Sequence, residues 1–171
     1  MKRTLLVSTL FASTLALAVL ATPTEAHAQF RATVHLGVEH LAAQGNGTTV
    51  LQMRGEALVS AKPWLDVGLY GQRLEAFDAR SEGGWGVGAL VTLRPVTDAS
   101  FAPIAFGSLG YQRAPSGAVF NDGMFFEVGG GVAWRAAPVL DLELRGGFVG
   151  LVGGDRDLTG FTAGLGISLH P

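Results

Sequence analysis

The sequence predicts an all-β fold: an eight-stranded antiparallel up-and-down transmembrane β-barrel that follows an export signal. Three observations lead to this prediction. Apolar and polar residues alternate along eight segments, short and long connections alternate between those segments, and aromatic residues concentrate near the segment ends. Because successive side chains of a strand point to opposite faces of its sheet, this alternation is typical of strands and not of helices.

Residues 1–28 have the pattern of a secretory signal peptide. A Lys-Arg pair follows the initiating methionine, an apolar run covers residues 5–20, and Ala-His-Ala at 26–28 fits a cleavage site. The alternative is an uncleaved N-terminal anchor, but the apolar run is short for a spanning helix. We therefore expect cleavage before Gln29 and one mature domain that comprises residues 29–171.

The alternation divides the mature chain into eight segments, of which the fifth is the least regular. They cover residues 30–39, 49–60, 65–72, 85–94, 102–112, 124–135, 140–148 and 161–169. In the first segment, for example, Val34 and Leu36 alternate with Thr33 and His35. Strands of about ten residues cross a bilayer when they are tilted.

The connections between the segments are of two kinds. Those at residues 60–63, 95–100 and 136–138 are short and contain proline, which ends a strand ladder. Those at residues 44–48, 75–84, 113–123 and 153–159 are longer and polar. Short turns at one end and longer loops at the other are typical of outer-membrane barrels. The asymmetry therefore defines a short-turn end and a long-loop end.

Alternation alone does not show which face meets water, because a soluble lipocalin-like barrel alternates with its apolar face inward. Glycines on the polar face suit a narrow interior that long side chains cross. Two bands of aromatic residues favour contact with lipid at two interfaces. The band at the short-turn end comprises Phe30, Phe101 and Trp134, and the band at the long-loop end comprises Trp85, Tyr111, Phe126, Phe148 and Phe161. We expect the apolar face to meet lipid; a secreted lipocalin-like binding protein is the alternative.

Charged residues on the polar face are then expected inside the barrel, as internal ion pairs. An unpaired charge there would be costly, and opposite charges fall at matching heights. The candidates are Arg54, Glu56, Asp66, Arg94, Glu127, Arg135, Asp141, Glu143 and Arg145.

The mature chain resembles the small bacterial outer-membrane β-barrels of the OmpA/OmpX-like superfamily. The resemblance rests on the signal peptide, the strand number, the asymmetric connections and the final strand TGFTAGLGISLHP. It implies a place in the outer membrane among lipid and lipopolysaccharide, and a last strand that the barrel-assembly machinery recognises. The terminal His170-Pro171 departs from the aromatic residue with which that family's last strand usually ends.

No motif in the chain indicates catalysis or a cofactor. The GWGVGA stretch at 84–89 continues as a strand, whereas a dinucleotide site needs a helix there. A calcium loop that starts at Asp155 would require glutamate at its twelfth position, which is Gly166. Ser168 and His170 share a face, but the sequence shows no carboxylate to complete a triad. The chain has no cysteine and a net charge of −2, so thiolate metal sites are excluded and nucleic acid is not indicated.

The sequence therefore predicts a monomeric, non-enzymatic protein with a structural or surface-interaction role. A narrow pore for small or apolar solutes is the alternative within the same fold. Arginines at the long-loop end are candidates for contacts with lipopolysaccharide phosphates, because the guanidinium group suits phosphate geometry: Arg73, Arg80, Arg113 and Arg156.

Overall fold

The structure, a computed structural model, describes residues 29–43, 46–77, 83–96, 99–115, 122–153 and 157–170. The predicted signal peptide lies outside these residues. The strands are β1 (Phe30–Ala43), β2 (Asn46–Lys62), β3 (Leu65–Ala76), β4 (Gly84–Leu93), β5 (Phe101–Arg113), β6 (Gly123–Ala137), β7 (Leu140–Val152) and β8 (Leu158–Leu169). Within the described part of the chain, no helix is long and apolar enough to span a membrane.

The eight strands form one closed barrel in chain order, and every neighbouring pair is antiparallel. Closure occurs where β8 pairs with β1, for example through Gly164 opposite Gly37. The predicted up-and-down topology is confirmed. Because the barrel is closed, its strands leave no edge with unpaired backbone groups.

The predicted first long-loop connection, residues 44–48, is wrong. Asn46, Gly47 and Thr48 belong to β2 and pair with the last residues of β1, so that Asn46 lies opposite Ala43. Asn-Gly is a local turn signal. Here the ladder continues past it, because Leu41 and Val50 extend the inward-facing set of both strands and are buried.

The apolar set of each strand faces outward and the polar set faces the lumen. Val34 is 67% exposed, whereas Glu39 on the opposite face of the same strand is 0% exposed. Leu69, Leu144 and Leu165 are likewise exposed in the middle of their strands. The orientation is the reverse of that in a lipocalin-like soluble barrel, whose apolar face lines the interior.

Aromatic side chains lie on the outer face near both ends of the barrel. At the short-turn end Phe101 stacks on Trp134, with ring centroids 6.0 Å apart. At the long-loop end Trp85 lies beside Tyr111, also at 6.0 Å. Amphipathic rings at two levels are typical of the interfaces of a lipid bilayer.

Candidate functional site

The candidate site is the lumen, where the structure places all nine predicted ion-pair residues. Eight of them are buried. The ninth, Arg135, lies at the rim of the short-turn end with 42% of its side chain exposed. The alternation places these residues on the inner face, but their partners depend on which strands oppose each other across the barrel.

The centre of the lumen is crossed by two arginines. Arg145 of β7 donates two hydrogen bonds to Glu56 of β2, at 3.0 and 3.1 Å, and also contacts Glu143 at 2.7 Å. Arg54 of β2 lies 3.0 Å from Glu56 and 2.5 Å from Glu127 of β6. Charge-assisted pairs of this kind are shorter and stronger than neutral hydrogen bonds. The contacts of Arg145 with Glu56 and of Arg54 with Glu127 connect strands that are not neighbours in the sheet.

A second group of ion pairs lies toward the short-turn end. Arg94 contacts Asp66 at 3.0 Å and Glu143 at 2.7 Å, which links this group to the central one. The predicted partners Arg135 and Asp141 are 3.7 Å apart. Arg31 is closer to Asp141, at 2.8 Å. We call the nine charges of both groups the ionic network: Arg31, Arg54, Glu56, Asp66, Arg94, Glu127, Asp141, Glu143 and Arg145.

Sequence reasoning missed Arg31 as a partner, although its place in the alternation puts it on the inner face. It also missed the contact of His35, whose Nε2 lies 3.5 Å from Glu56. Both residues have odd numbers in the first segment, and the odd positions of that segment form the polar set that faces the lumen. His40 has the other parity and faces outward, where its ring stacks on Phe161.

Above the ionic network, toward the long-loop end, four side chains form a closed ring of hydrogen bonds. Glu39 accepts from Gln52 at 3.2 Å and from Gln112 at 2.7 Å. Gln72 accepts from Gln52 at 3.1 Å and donates to Gln112 at 2.7 Å. We call this set the amide ring. It satisfies a fully buried carboxylate with neutral donors, an arrangement that charge pairing in the sequence does not predict.

An apolar plug fills the lumen between the amide ring and the long loops. Its side chains face inward from six strands and are nearly inaccessible to solvent: Leu41, Val50, Leu74, Phe125, Val149, Leu151 and Leu158. Residues of this type on the inner face were not predicted, because the expected lumen was polar throughout. Five of these seven residues lie in strand ends that the predicted segments did not reach, whereas Val50 and Phe125 lie within predicted segments.

Two aromatic side chains also cross the lumen and lie against its arginines. The Arg54 guanidinium is 3.9 Å from the ring centroid of Tyr70, and that of Arg145 is 5.2 Å from Phe106. Glycine on the facing strands provides the space. A Cβ at Gly110 would lie 2.6 Å from the Tyr70 hydroxyl. The high glycine content of the inner face thus has a steric reason.

Little free volume remains at mid-height. A cavity among the ion pairs measures about 20 Å³ and is lined in part by Arg54, Glu56 and Arg145. A space of this size holds about one water molecule. The lumen is therefore filled at its centre by side chains.

Of the four arginines at the long-loop end, the structure describes two. Arg73 and Arg113 both face outward, and both lie directly opposite Trp85, from β3 and from β5. Their backbones are thus about 10 Å apart, or two strand spacings. Arg73 also pairs with Glu75. Arg80 and Arg156 lie outside the described residues.

The surroundings of Ser168 do not form a hydrolase triad. His170 does have a carboxylate neighbour that the sequence did not reveal, since its Nε2 lies 3.2 Å from Asp141. The Ser168 hydroxyl, however, is fully buried and accepts hydrogen bonds from Arg31 at 3.1 Å and Thr33 at 3.0 Å. Among the described residues, no group of three or more His, Asp or Glu side chains could hold a metal ion.

No family model and no curated protein matches the sequence. Solved structures do match the fold. Neisserial surface protein A is 14% identical with a TM-score of 0.69, and the match covers 82% of this chain and 96% of that one. The N-terminal β-barrel domain of Pseudomonas aeruginosa OprF is 11% identical with a TM-score of 0.59, covering 85% and 100%. Ail, the attachment invasion locus protein of Yersinia pestis, is 10% identical with a TM-score of 0.53, covering 85% and 100%.

The chain has the fold of the small outer-membrane β-barrels. The predicted fold class and the resemblance to OmpA/OmpX-like barrels are confirmed at this level. Identities of 10–14% carry no residue roles from one protein to another.

Replacing Arg145 with alanine tests the ionic network. The change removes the cation that Glu56 and Glu143 share and leaves buried carboxylates undercompensated, so we expect the free energy of unfolding to fall by about 3–5 kcal/mol. Urea unfolding in lipid vesicles, followed by tryptophan fluorescence, measures it. Single-channel recording on the same variant shows whether the gap admits ions.

The matched control is Arg113→Ala on the outer face, which should change stability by less than about 0.5 kcal/mol. If Arg145→Ala is as stable as this control and its conductance is unchanged, the network does not hold the lumen together.

Proposed function

We propose that this chain is an integral outer-membrane β-barrel with a structural or surface-interaction role and no enzymatic activity. The observation that carries the proposal is the inverted arrangement of a continuous apolar outer face around a lumen filled by ion pairs. Export through a cleaved signal peptide belongs to the same proposal, since a barrel of this kind must cross the inner membrane before it assembles.

The apolar outer face supports membrane insertion over an ordinary soluble protein. Large apolar side chains such as Val34, Leu69 and Leu165 are about two-thirds exposed along the barrel. Contiguous apolar surface of this extent is rare on soluble monomers and indicates contact with a membrane or a partner. The closed backbone also meets the requirement that every strand amide be satisfied within the protein in a bilayer.

The filled lumen favours a structural role over a pore. The ionic network and the amide ring occupy the inner face, and the apolar plug closes the long-loop end. A conducting path would have to displace paired charges and an apolar layer in series. The Glu and Arg side chains therefore act as the core of the barrel, which replaces the apolar core of a soluble domain.

A surface role is supported by the fold comparison and by the asymmetry of the ends. In the proposed orientation the longer connections, such as that between β5 and β6, face the cell exterior. Two proteins of similar fold are named for the cell surface or for attachment and invasion. The closed strand ladder offers no edge for a second copy, which fits a monomer.

Lipopolysaccharide is the proposed lipid partner. We assign its contact to three outward-facing residues, Arg73, Trp85 and Arg113. The two arginines lie opposite an interfacial tryptophan on its neighbouring strands, at the height where acyl chains end and phosphates begin. Lys62 and Trp64 form a similar pair at the other end, with Nζ 5.5 Å from the ring centroid. The barrel-assembly machinery is the second proposed partner, through the outward residues of β8.

Cell fractionation tests the central proposal. We expect the protein to sediment with outer membranes, to resist extraction with high salt, and to migrate differently in gels when it is not boiled. A secreted binding protein would instead appear in the soluble fraction after signal cleavage. Recovery of the folded protein from the soluble fraction would contradict membrane insertion.

The variant Leu144→Arg tests which face meets lipid. Leu144 lies between the exposed Val132 and Leu165 on neighbouring strands. An arginine near the bilayer midplane should cost about 2–4 kcal/mol of stability in vesicles. The control Val139→Arg, in an exposed turn, should cost about 0–1 kcal/mol. Equal effects would contradict the assignment of the outer face.

The double variant Arg73→Gln/Arg113→Gln tests the lipopolysaccharide contact. Less lipopolysaccharide should copurify with it than with the unchanged protein, because two phosphate-binding cations are lost. The control Lys62→Gln removes a cation beside a tryptophan at the other interface, where lipopolysaccharide is absent. Undiminished copurification with the double variant, or an equal loss with Lys62→Gln, would rule out a specific contact.

A further inference from the structure

The short-turn end of the lumen opens into a polar cup. Its cavity measures about 290 Å³, and its ionisable lining residues are Arg31, Asp66, Arg94, Arg135, Asp141 and His170. Small side chains, among them Ala102 and Ala133, leave the space open. The inner end is blocked by the contact of Arg94 with Glu143. The cup is therefore blind and is distinct from a pore entrance.

Hydrogen-bond donors in the cup exceed the acceptors that face them. The two oxygens of Asp66 accept from Ser60 at 2.6 Å and from Arg94 at 3.0 Å. Asp141 Oδ2 accepts from Arg31 at 2.8 Å. Three arginines and a histidine thus face the two carboxylates of the cup, although Arg94 also contacts Glu143, and arginine side chains can only donate.

Two of these donors are buried without a hydrogen-bond partner in the structure, namely Arg31 Nε and His170 Nε2. Their nearest carboxylate oxygens lie at 3.5 Å, on Asp66, and at 3.2 Å, on Asp141. The acceptor Asp141 Oδ1 is also buried without a hydrogen-bond partner, but His170 and Arg135 lie within ion-pair distance of it. Buried polar groups in folded proteins find a partner in protein, water or ligand. Because His170 Nε2 and Asp141 Oδ1 face each other, Arg31 Nε is the donor that a further acceptor in the cup would satisfy.

We propose that the cup binds the carboxylate group of a small ligand, such as the C-terminus of a short peptide. The guanidinium fork of arginine matches a carboxylate with two parallel hydrogen bonds, and His170 at the rim supplies a further donor. The volume lies at the small end of the range for ligand sites, which restricts the buried part to a terminal group. In the orientation proposed above the cup opens to the periplasm; only this clause rests on the proposed function.

Binding is tested with the purified protein in detergent micelles, so the result does not depend on membrane orientation. N-acetyl-alanyl-alanine, its C-terminal amide, acetate and inorganic phosphate are titrated at constant ionic strength. The Nε–H signal of Arg31 is followed by nitrogen-15 NMR. The free acid should shift that signal to saturation, acetate should do so more weakly, and the amide should not.

Two variants locate the site. Arg135→Gln at the exposed rim should weaken binding of the free acid about tenfold, which corresponds to one charged contact. His170→Gln should weaken it as well, and the matched control His40→Gln on the outer face should leave it unchanged. Unaltered urea unfolding of the variants shows that the fold is retained.

Three results would overturn the proposal: no saturable shift with any titrant, an equal shift with the amide, or tighter binding of phosphate than of either carboxylate. The first would mean that water alone satisfies the buried donors. None of these results bears on membrane insertion. Conversely, a soluble protein that still binds the peptide would contradict the proposed function but support the ligand site in the cup.

Discussion

The pairing of buried charges across the lumen is the constraint on which the rest of the barrel depends. Arg145 reaches from β7 to β2, Arg54 from β2 to β6, and Arg94, the residue after β4, to β7. Each contact requires two strands to be in register around the whole ring. A slip of one residue in any strand would turn its charges to the outer face and leave partners unpaired inside, at a cost that apolar packing on the outside could not offset.

The apolar exterior follows from the filled lumen. A barrel of eight strands has an interior only wide enough for side chains, so whatever fills it replaces the core. Here the filling is polar over most of the height, and glycine on facing strands makes room for Tyr70 and Phe106 beside the arginines. The apolar side chains of the same strands have no interior left to occupy. They therefore face outward, where only lipid removes them from water.

Periodicity was sufficient to predict the face of the charged strand residues, since parity along a strand needs no tertiary information, but it did not predict inward apolar residues such as Leu41 and Phe125. It also anticipated the Asp66–Arg94 contact, because these residues lie near the same turn end of adjacent strands. It was not sufficient for contacts that depend on closure. Asp141 was expected to pair with Arg135 across a turn, yet Arg31 lies closer, since β8 joins β1 and brings the start of the chain beside β7. The connection expected at residues 44–48 was wrong for a related reason: a local turn signal does not reveal how far a ladder extends.

The two ends of the lumen differ in a way that bears on the choice between scaffold and pore. The long-loop end is closed by apolar side chains such as Leu41 and Phe125, which exclude water. The centre is closed by ion pairs, whose electrostatic attraction keeps the crossing side chains in place. Weakening one barrier does not weaken the other, because one depends on apolar packing and the other on ion pairs, and they lie at different heights along the barrel. A single ion-pair break would admit water from the short-turn side only as far as the amide ring. Removal of Arg145 is thus expected to lower stability before it creates a path through the barrel, and this order of effects is what separates a structural core from a gate.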